Sequence, residues 1–137
     1  MIKECQLKKI GVLNKDLSEV IASMGHKDML VIGDAGLPIP RTTRRIDLAI
    51  RPGLPSFGDV IETIKQELYV ETVIIAEETK EISPVIYQEI RRIYPESQVQ
   101  FVTHDELKSL TGSATAIVRT GEFTPYANVI LVSGVVF

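Results

Sequence analysis

Two histidines, His26 and His104, are the side chains best suited to proton transfer in this chain. Imidazole titrates closer to neutral pH than any other unperturbed side chain, so it is the first candidate for giving a proton to a substrate or taking one away. His26 follows Gly25 at the end of a helical stripe, where exposed carbonyls favour the imidazolium. His104 follows Thr103 at the start of another, where the helix dipole favours the neutral ring. One suits a proton donor and the other a hydrogen-bonding partner. Each also has a plainer reading, His26 as the completion of a helix cap and His104 as a surface residue of a first turn, and local sequence does not separate them.

Polar residues at loop positions extend the inventory. Asp34 ends the apolar run Met29 to Ile32 beside a Gly/Pro-rich turn, Gly33 to Pro40, which is where open α/β sheets carry ligand-binding groups or, equally, where an Asx-turn sits. Tyr126 and Asn128, next to Pro125, offer a hydroxyl and a carboxamide of the kind that reads sugar hydroxyls, or simply punctuate a loop. Arg41, Arg44 and Arg45 suit a phosphate or a salt bridge. The chain has no G-x-G-x-x-G, Walker or G-x-S-x-G string, so nucleotide binding and serine hydrolysis have no motif behind them. Cys5 is the only cysteine, which excludes an intramolecular disulfide and fits a reducing compartment; in an irregular start it is a poor nucleophile. His26, His104, Asp28 and Asp34 lack metal-ligand spacing, and neither a metal nor a cofactor is expected.

These residues need elements to position them. Leu17, Val20, Ile21 and Met24 mark a helix capped by Asn14 or Asp16, with Glu19 placed for a capping box and Gly25 for a left-handed end. Strands are expected at Met29 to Ile32, Ile46 to Ile50, Val70 to Ala76 and Val99 to Val102. A helix capped by Ser56 buries Phe57, Val60, Ile61, Ile64 and Leu68; another opens at Ser83-Pro84 and stops before Pro95; a third opens with the capping box Thr103 to Glu106. Ala116 to Arg119 and Val129 to Phe137 read as strands joined without a helix, hence antiparallel to each other. The very apolar C-terminal strand belongs either at the sheet centre or in a subunit interface. The expected fold is a three-layer α/β/α single domain, residues 1–137, with a mixed, mostly parallel sheet. A net charge of −3 argues against a nucleic-acid partner, and no apolar run approaches the ~18 residues of a membrane span. Met1 to Lys9 does not read as an export leader, so a cytoplasmic protein is expected.

Strings in order along nearly the whole chain carry a resemblance. Met24-Gly25-His26, Val31 to Pro40, Arg45-Ile46-Asp47, Gly53 to Phe57, Ile74 to Glu78, Thr103-His104, Gly121-Glu122 and Pro125-Tyr126-Ala127-Asn128 closely resemble the ribose pyranase and fucose mutarotase family. The D-A-G-L-P-I-P run with P-Y-A-N is the specific part. The fucose members carry a bulkier polar residue in place of Gly36 and a glycine in place of Ala127, so the ribose branch is favoured. The resemblance implies interconversion of β-pyranose and β-furanose D-ribose, the latter being the form that ribokinase uses, without a cofactor. It implies His26 as proton donor, Asp34, His104, Tyr126, Ala127 and Asn128 as the sugar-binding residues, and a homodecamer with sites in clefts between subunits. In the resulting mechanism Asp34 orients His26 or the sugar while His104 and Asn128 fix hydroxyls. A mutarotase for another aldose and a non-catalytic sugar-binding accessory to uptake are the alternatives.

Overall fold

The structure is a computed structural model that describes residues 7–137; the expectations for Cys5 and for the start of the chain before Leu7 lie outside the described residues. Six strands form one sheet: β1 (Met29–Gly33), β2 (Arg45–Asp47), β3 (Val70–Ala76), β4 (Val99–Val102), β5 (Ala116–Arg119) and β6 (Val129–Ser133). Their order is β2-β5-β1-β6-β3-β4. The pairs β1/β5, β2/β5 and β3/β4 are parallel, whereas β6 runs antiparallel to both of its neighbours, β1 and β3. The sheet is therefore mixed and mostly parallel, as expected, and β6 lies at its centre with every residue buried. Its uniform hydrophobicity reflects burial on both faces.

Alternation along the strands divides the core. Leu30 and Ile32 point to one face, where α1 (Lys15–Ser23), α2 (Phe57–Lys65) and α4 (Pro84–Ile93) contribute Leu17, Val20, Phe57, Ile61, Ile64, Ile86 and Ile90. Val31 points to the other, packed with Leu107 of α5 (His104–Leu110) and with Leu37 from the loop after β1. The Thr103 capping box is formed, with Glu106 N–H donating to Thr103 Oγ1 and Thr103 N–H donating to Glu106 Oε1.

Several local expectations are corrected. Asn14 alone caps α1, accepting from the Leu17 N–H at 2.9 Å; Glu19 instead accepts from Arg44, whose guanidinium also pairs with Asp16. The left-handed residue after α1 is Lys27, with φ 75°, and not Gly25. The second strand stops at Asp47 because Asp47 Oδ1 accepts from the Ala49 N–H, an Asx-turn that withdraws that donor from the ladder. Strand β6 ends at Ser133, leaving Val136 and Phe137 exposed. One short helix, α3 (Glu77–Ile82), was not expected, since Thr79 is its only buried residue and it has no apolar stripe to read.

The last two strands are opposite in sense but do not pair, because β1 lies between them. Their connection, residues 120–128, must cross the C-terminal end of β1. It thereby brings Tyr126 and Asn128 over Asp34.

Candidate active site

Asp34 and Asn128 form a reciprocal pair at that crossing. The Asp34 N–H donates to Asn128 Oδ1 at 2.9 Å, and Asn128 Nδ2 donates to Asp34 Oδ2 at 3.1 Å. Asp34 Oδ1 accepts from the Gly36 N–H at 2.9 Å, which closes the Asx-turn and orients the carboxyl. Gly33 makes the pairing possible: a Cβ there would lie 2.6 Å from Leu37 and 3.1 Å from Asn128 Oδ1. Burial pushes the Asp34 carboxyl above its ordinary value, against the lowering effects of the Gly36 N–H, the Asn128 amide and the nearby His104.

His104 begins α5, past the end of β4, with its N–H donating to the Glu78 carboxylate at 3.0 Å. Its ring meets the Tyr126 ring edge-on, with centroids 5.0 Å apart. His104 Nδ1 is buried and has no partner among the described residues. An unpaired buried acceptor or donor is costly unless something completes it, so this atom is suited to a ligand hydroxyl. Tyr126 has φ 60°, a left-handed conformation that costs a non-glycine residue about 1–2 kcal/mol. It is held there by the Thr79 hydroxyl, which donates to the Tyr126 carbonyl at 2.7 Å, and by the Asn128 N–H at 2.9 Å. The neighbouring Pro125 carbonyl accepts from the Ser83 hydroxyl. Helix α3, which carries no sequence signal of its own, is thus the element that fixes the Tyr126 loop. Ala127 is fully buried within the helix-covered core, main chain included.

Beside the pair lies a hollow of about 380 Å³, lined by Asp34, Ala35, Gly36, Arg119, Glu122, Phe123, Thr124 and Pro125, a size within the range of small-ligand sites. Arg119 is fixed there by Nε donating to the Ala35 carbonyl and by its pairing with Asp47. A more apolar groove of about 350 Å³, lined by Val12, Leu17, Leu48, Ile50 and Leu54 among others, shares no residue with this cluster. Among the described residues no three His, Cys, Asp or Glu side chains gather as metal ligands would.

His26 is not part of this cluster within one chain. It precedes β1, whereas Asp34 follows it, and five strand residues at ~3.3 Å each separate the two ends of β1 by about 16 Å. Its partner is Glu71, a residue sequence reasoning passed over: His26 Nε2 lies 3.1 Å from Glu71 Oε2, and the imidazole is half exposed. In one chain Asp34 therefore does not orient His26. Asp34, His104, Tyr126 and Asn128 stand together, and His26 stands at the opposite end of the sheet.

Asn128 is 1% exposed and supplies two of the bonds at the pair. Asn128→Ala leaves the Asp34 N–H without its acceptor and is expected to lower stability by about 1–3 kcal/mol, measured as a reduced urea midpoint at unchanged slope.

A mixed sheet whose polar, partly desolvated cluster sits at the C-terminal ends of its parallel strands defines an α/β protein with a small polar-ligand site. The chain belongs to the RbsD / FucU transport protein family, whose model matches residues 7–136. It is 55% identical over 131 residues to a D-ribose pyranase of Symbiobacterium thermophilum and 52% identical to that of Clostridium botulinum, in each case covering 96% of this chain and all of the relative. Among solved structures, Bacillus subtilis RbsD complexed with D-ribose superposes with a TM-score of 0.91 at 45% identity, covering 95% of this chain and 99% of that one. The fucose mutarotase of Streptococcus pneumoniae, at 22% identity, covers 90% of this chain and 94% of its own with a TM-score of 0.75, and shares the fold.

Proposed function

We propose that this chain is an isomerase that interconverts the β-pyranose and β-furanose forms of D-ribose by acid-base ring opening and reclosure, feeding ribose catabolism. The observation that carries the reading is the Asp34–Asn128 pair beside the unpartnered His104 Nδ1, set in a chain about half identical over its full length to proteins called D-ribose pyranase. Asp34, Tyr126, Ala127 and Asn128 bind the sugar, and His104 accepts or donates at one of its hydroxyls.

The reaction exchanges one C–O bond for another through proton transfers, with no change of oxidation state. His26 donates a proton to the ring oxygen as the bond from that oxygen to the anomeric carbon breaks, its electrons going to the oxygen. The anomeric hydroxyl loses its proton to a base and becomes the aldehyde carbonyl. A different hydroxyl then attacks the aldehyde and the proton transfers run in reverse, closing the other ring.

A single ribose cannot touch both ends of β1, so the site is assembled from two chains, the Asp34 cluster of one receiving His26 of another. A closed homo-oligomer, such as the decamer implied by the family resemblance, supplies that geometry at every site. The cytoplasm is the compartment that fits a chain with one cysteine, and among the described residues no helix is long and apolar enough to cross a membrane.

The test is saturation-transfer NMR on equilibrated sugars. Addition of the protein is expected to accelerate pyranose-furanose exchange of D-ribose; exchange accelerated for L-fucose and not for D-ribose would transfer the assignment to fucose mutarotation. Binding of ribose without any acceleration would identify a sugar-binding accessory.

A further inference from the structure

The segment that carries His26 is held with unusual completeness for a surface loop. Gly25 N–H donates to Asp28 Oδ2 at 2.8 Å and Asp28 N–H to the Gly25 carbonyl at 3.2 Å. Ser133, at the end of β6, binds the same turn from the other side: its carbonyl accepts from the Lys27 N–H at 2.9 Å, its N–H donates to the Asp28 carbonyl at 2.9 Å, and its hydroxyl donates to the Gly25 carbonyl. Lys27 adopts φ 75° within that frame. The His26 main chain thus has donors and acceptors fixed on both sides.

Opposite Ser133 the sheet is irregular. Val70 pairs with Ser133 and Thr72 with Val132, so two steps along β3 match one along β6, and Glu71 is the extra residue. Val70 and Val73 consequently both enter the helix-covered core, an odd spacing that strict alternation forbids. Such a bulge re-aims one side chain, and here the side chain is Glu71, directed at His26 Nε2 at 3.1 Å. Its other oxygen, Oε1, lies 2.6 Å from Lys27 Nζ as an ion pair without the alignment of a directed hydrogen bond. The contacts with Lys27 and then with His26 hold the Glu71 carboxyl below its usual range. The other nearby carboxylate, Asp28, is turned to the Gly25 N–H.

We propose that Glu71 is the positioning residue for His26: it accepts the Nε2–H, fixes the orientation of the imidazole, and leaves Nδ1 as the atom that exchanges its proton with the sugar. The inference rests on His26 being the proton donor. With Nε2–H engaged by a carboxylate in both protonation states, loss of the Nδ1 proton to the ring oxygen yields the neutral Nε2–H tautomer directly, and return of the proton regenerates the starting imidazolium. A carboxylate that selects tautomer and orientation in this way acts through the histidine and does not touch substrate. Lys27 compensates the charge of the Glu71 oxygen that faces away.

The experiment compares Glu71→Gln, Glu71→Asp and His26→Ala with the unsubstituted protein, by ribose exchange kinetics and by long-range proton-nitrogen NMR of the His26 ring. Glu71→Gln is expected to lower kcat by about 10- to 100-fold with KM little changed, and to replace the single Nε2–H tautomer by a mixture, because the carboxamide can donate to Nε2 as well as accept from it. Glu71→Asp, which keeps the charge with a shorter reach, is expected to recover part of kcat and the single tautomer, and it serves as the deciding variant should the glutamine protein not fold. Unchanged kcat and tautomer in the glutamine variant, or in the aspartate variant where that one decides, while His26→Ala is inactive, would overturn the role of Glu71 alone. Unchanged exchange in a folded His26→Ala protein would instead remove the reading on which it stands.

Discussion

His26→Ala is expected to slow pyranose-furanose exchange by about 10²- to 10⁴-fold, the usual contribution of one positioned acid-base group, corresponding to ~3–5 kcal/mol of barrier. The loss should fall on kcat, because the residues proposed to bind ribose lie at the other end of β1 and keep their mutual contacts: the Asp34–Asn128 pair, the Gly36 N–H on Asp34 and the edge-on contact of His104 with Tyr126 do not involve His26. Ribose titration by NMR line broadening should therefore give a near-normal affinity. Folding should survive as well. The His26 side chain is half exposed and has one partner among the described residues, and the turn that bears it is tied to Ser133 through main-chain groups that alanine retains. A matched loss of exchange and of ribose affinity would place His26 in binding and would remove its role as proton donor.

Much of this arrangement could be read from residue types and spacing, and what could not has physical causes. The four larger helices announce themselves by caps and stripes, Asn14 before α1, Ser56 before Phe57, Pro84 at the first position of α4, Thr103 with Glu106 in the capping box, because these are local interactions written in adjacent residues. The site residue His104 was legible for the same reason. Helix α3 was not: Glu77 to Ile82 has no apolar stripe, and its worth lies in Thr79 and the following Ser83 holding the Pro125-Tyr126 carbonyls more than forty residues away. Left-handed φ values fall on Lys27 and Tyr126 as well as on Gly11 and Gly53, since tertiary hydrogen bonds pin both non-glycine residues. Glu71 was invisible as anything but a polar residue in a buried strand, because a bulge is a property of register between two strands and register is set by the partner, here Ser133 and Val132 of β6. The resemblance to the ribose pyranase family named His26 and the Asp34 cluster together. It did not reveal that one chain holds them at opposite ends of its central strands.

That separation leads to the most discriminating prediction. Chains bearing His26→Ala and chains bearing His104→Ala are each expected to be inactive alone, yet mixed oligomers of the two should regain activity. If every site takes its proton donor from one subunit and its sugar-binding cluster from another, random co-assembly in equal amounts returns both intact halves to roughly a quarter of the sites, so the specific activity should approach about a quarter of that of the unsubstituted protein. The expectation depends on the topology: β1 is fixed in the middle of the sheet by parallel pairing to β5 and antiparallel pairing to β6, so no hinge within the chain can fold its two ends onto one sugar. Co-expression with two affinity tags, purification through both and measurement of ribose exchange gives the answer, with the doubly substituted chain as the background control. Sites built within single chains would leave the mixed oligomer as inactive as its parents, because each chain would still lack one member. Recovery only in doubly tagged material would locate the chemistry at the boundary between copies, where Glu71 of one subunit would orient a histidine toward the Asp34, His104 and Asn128 of the next.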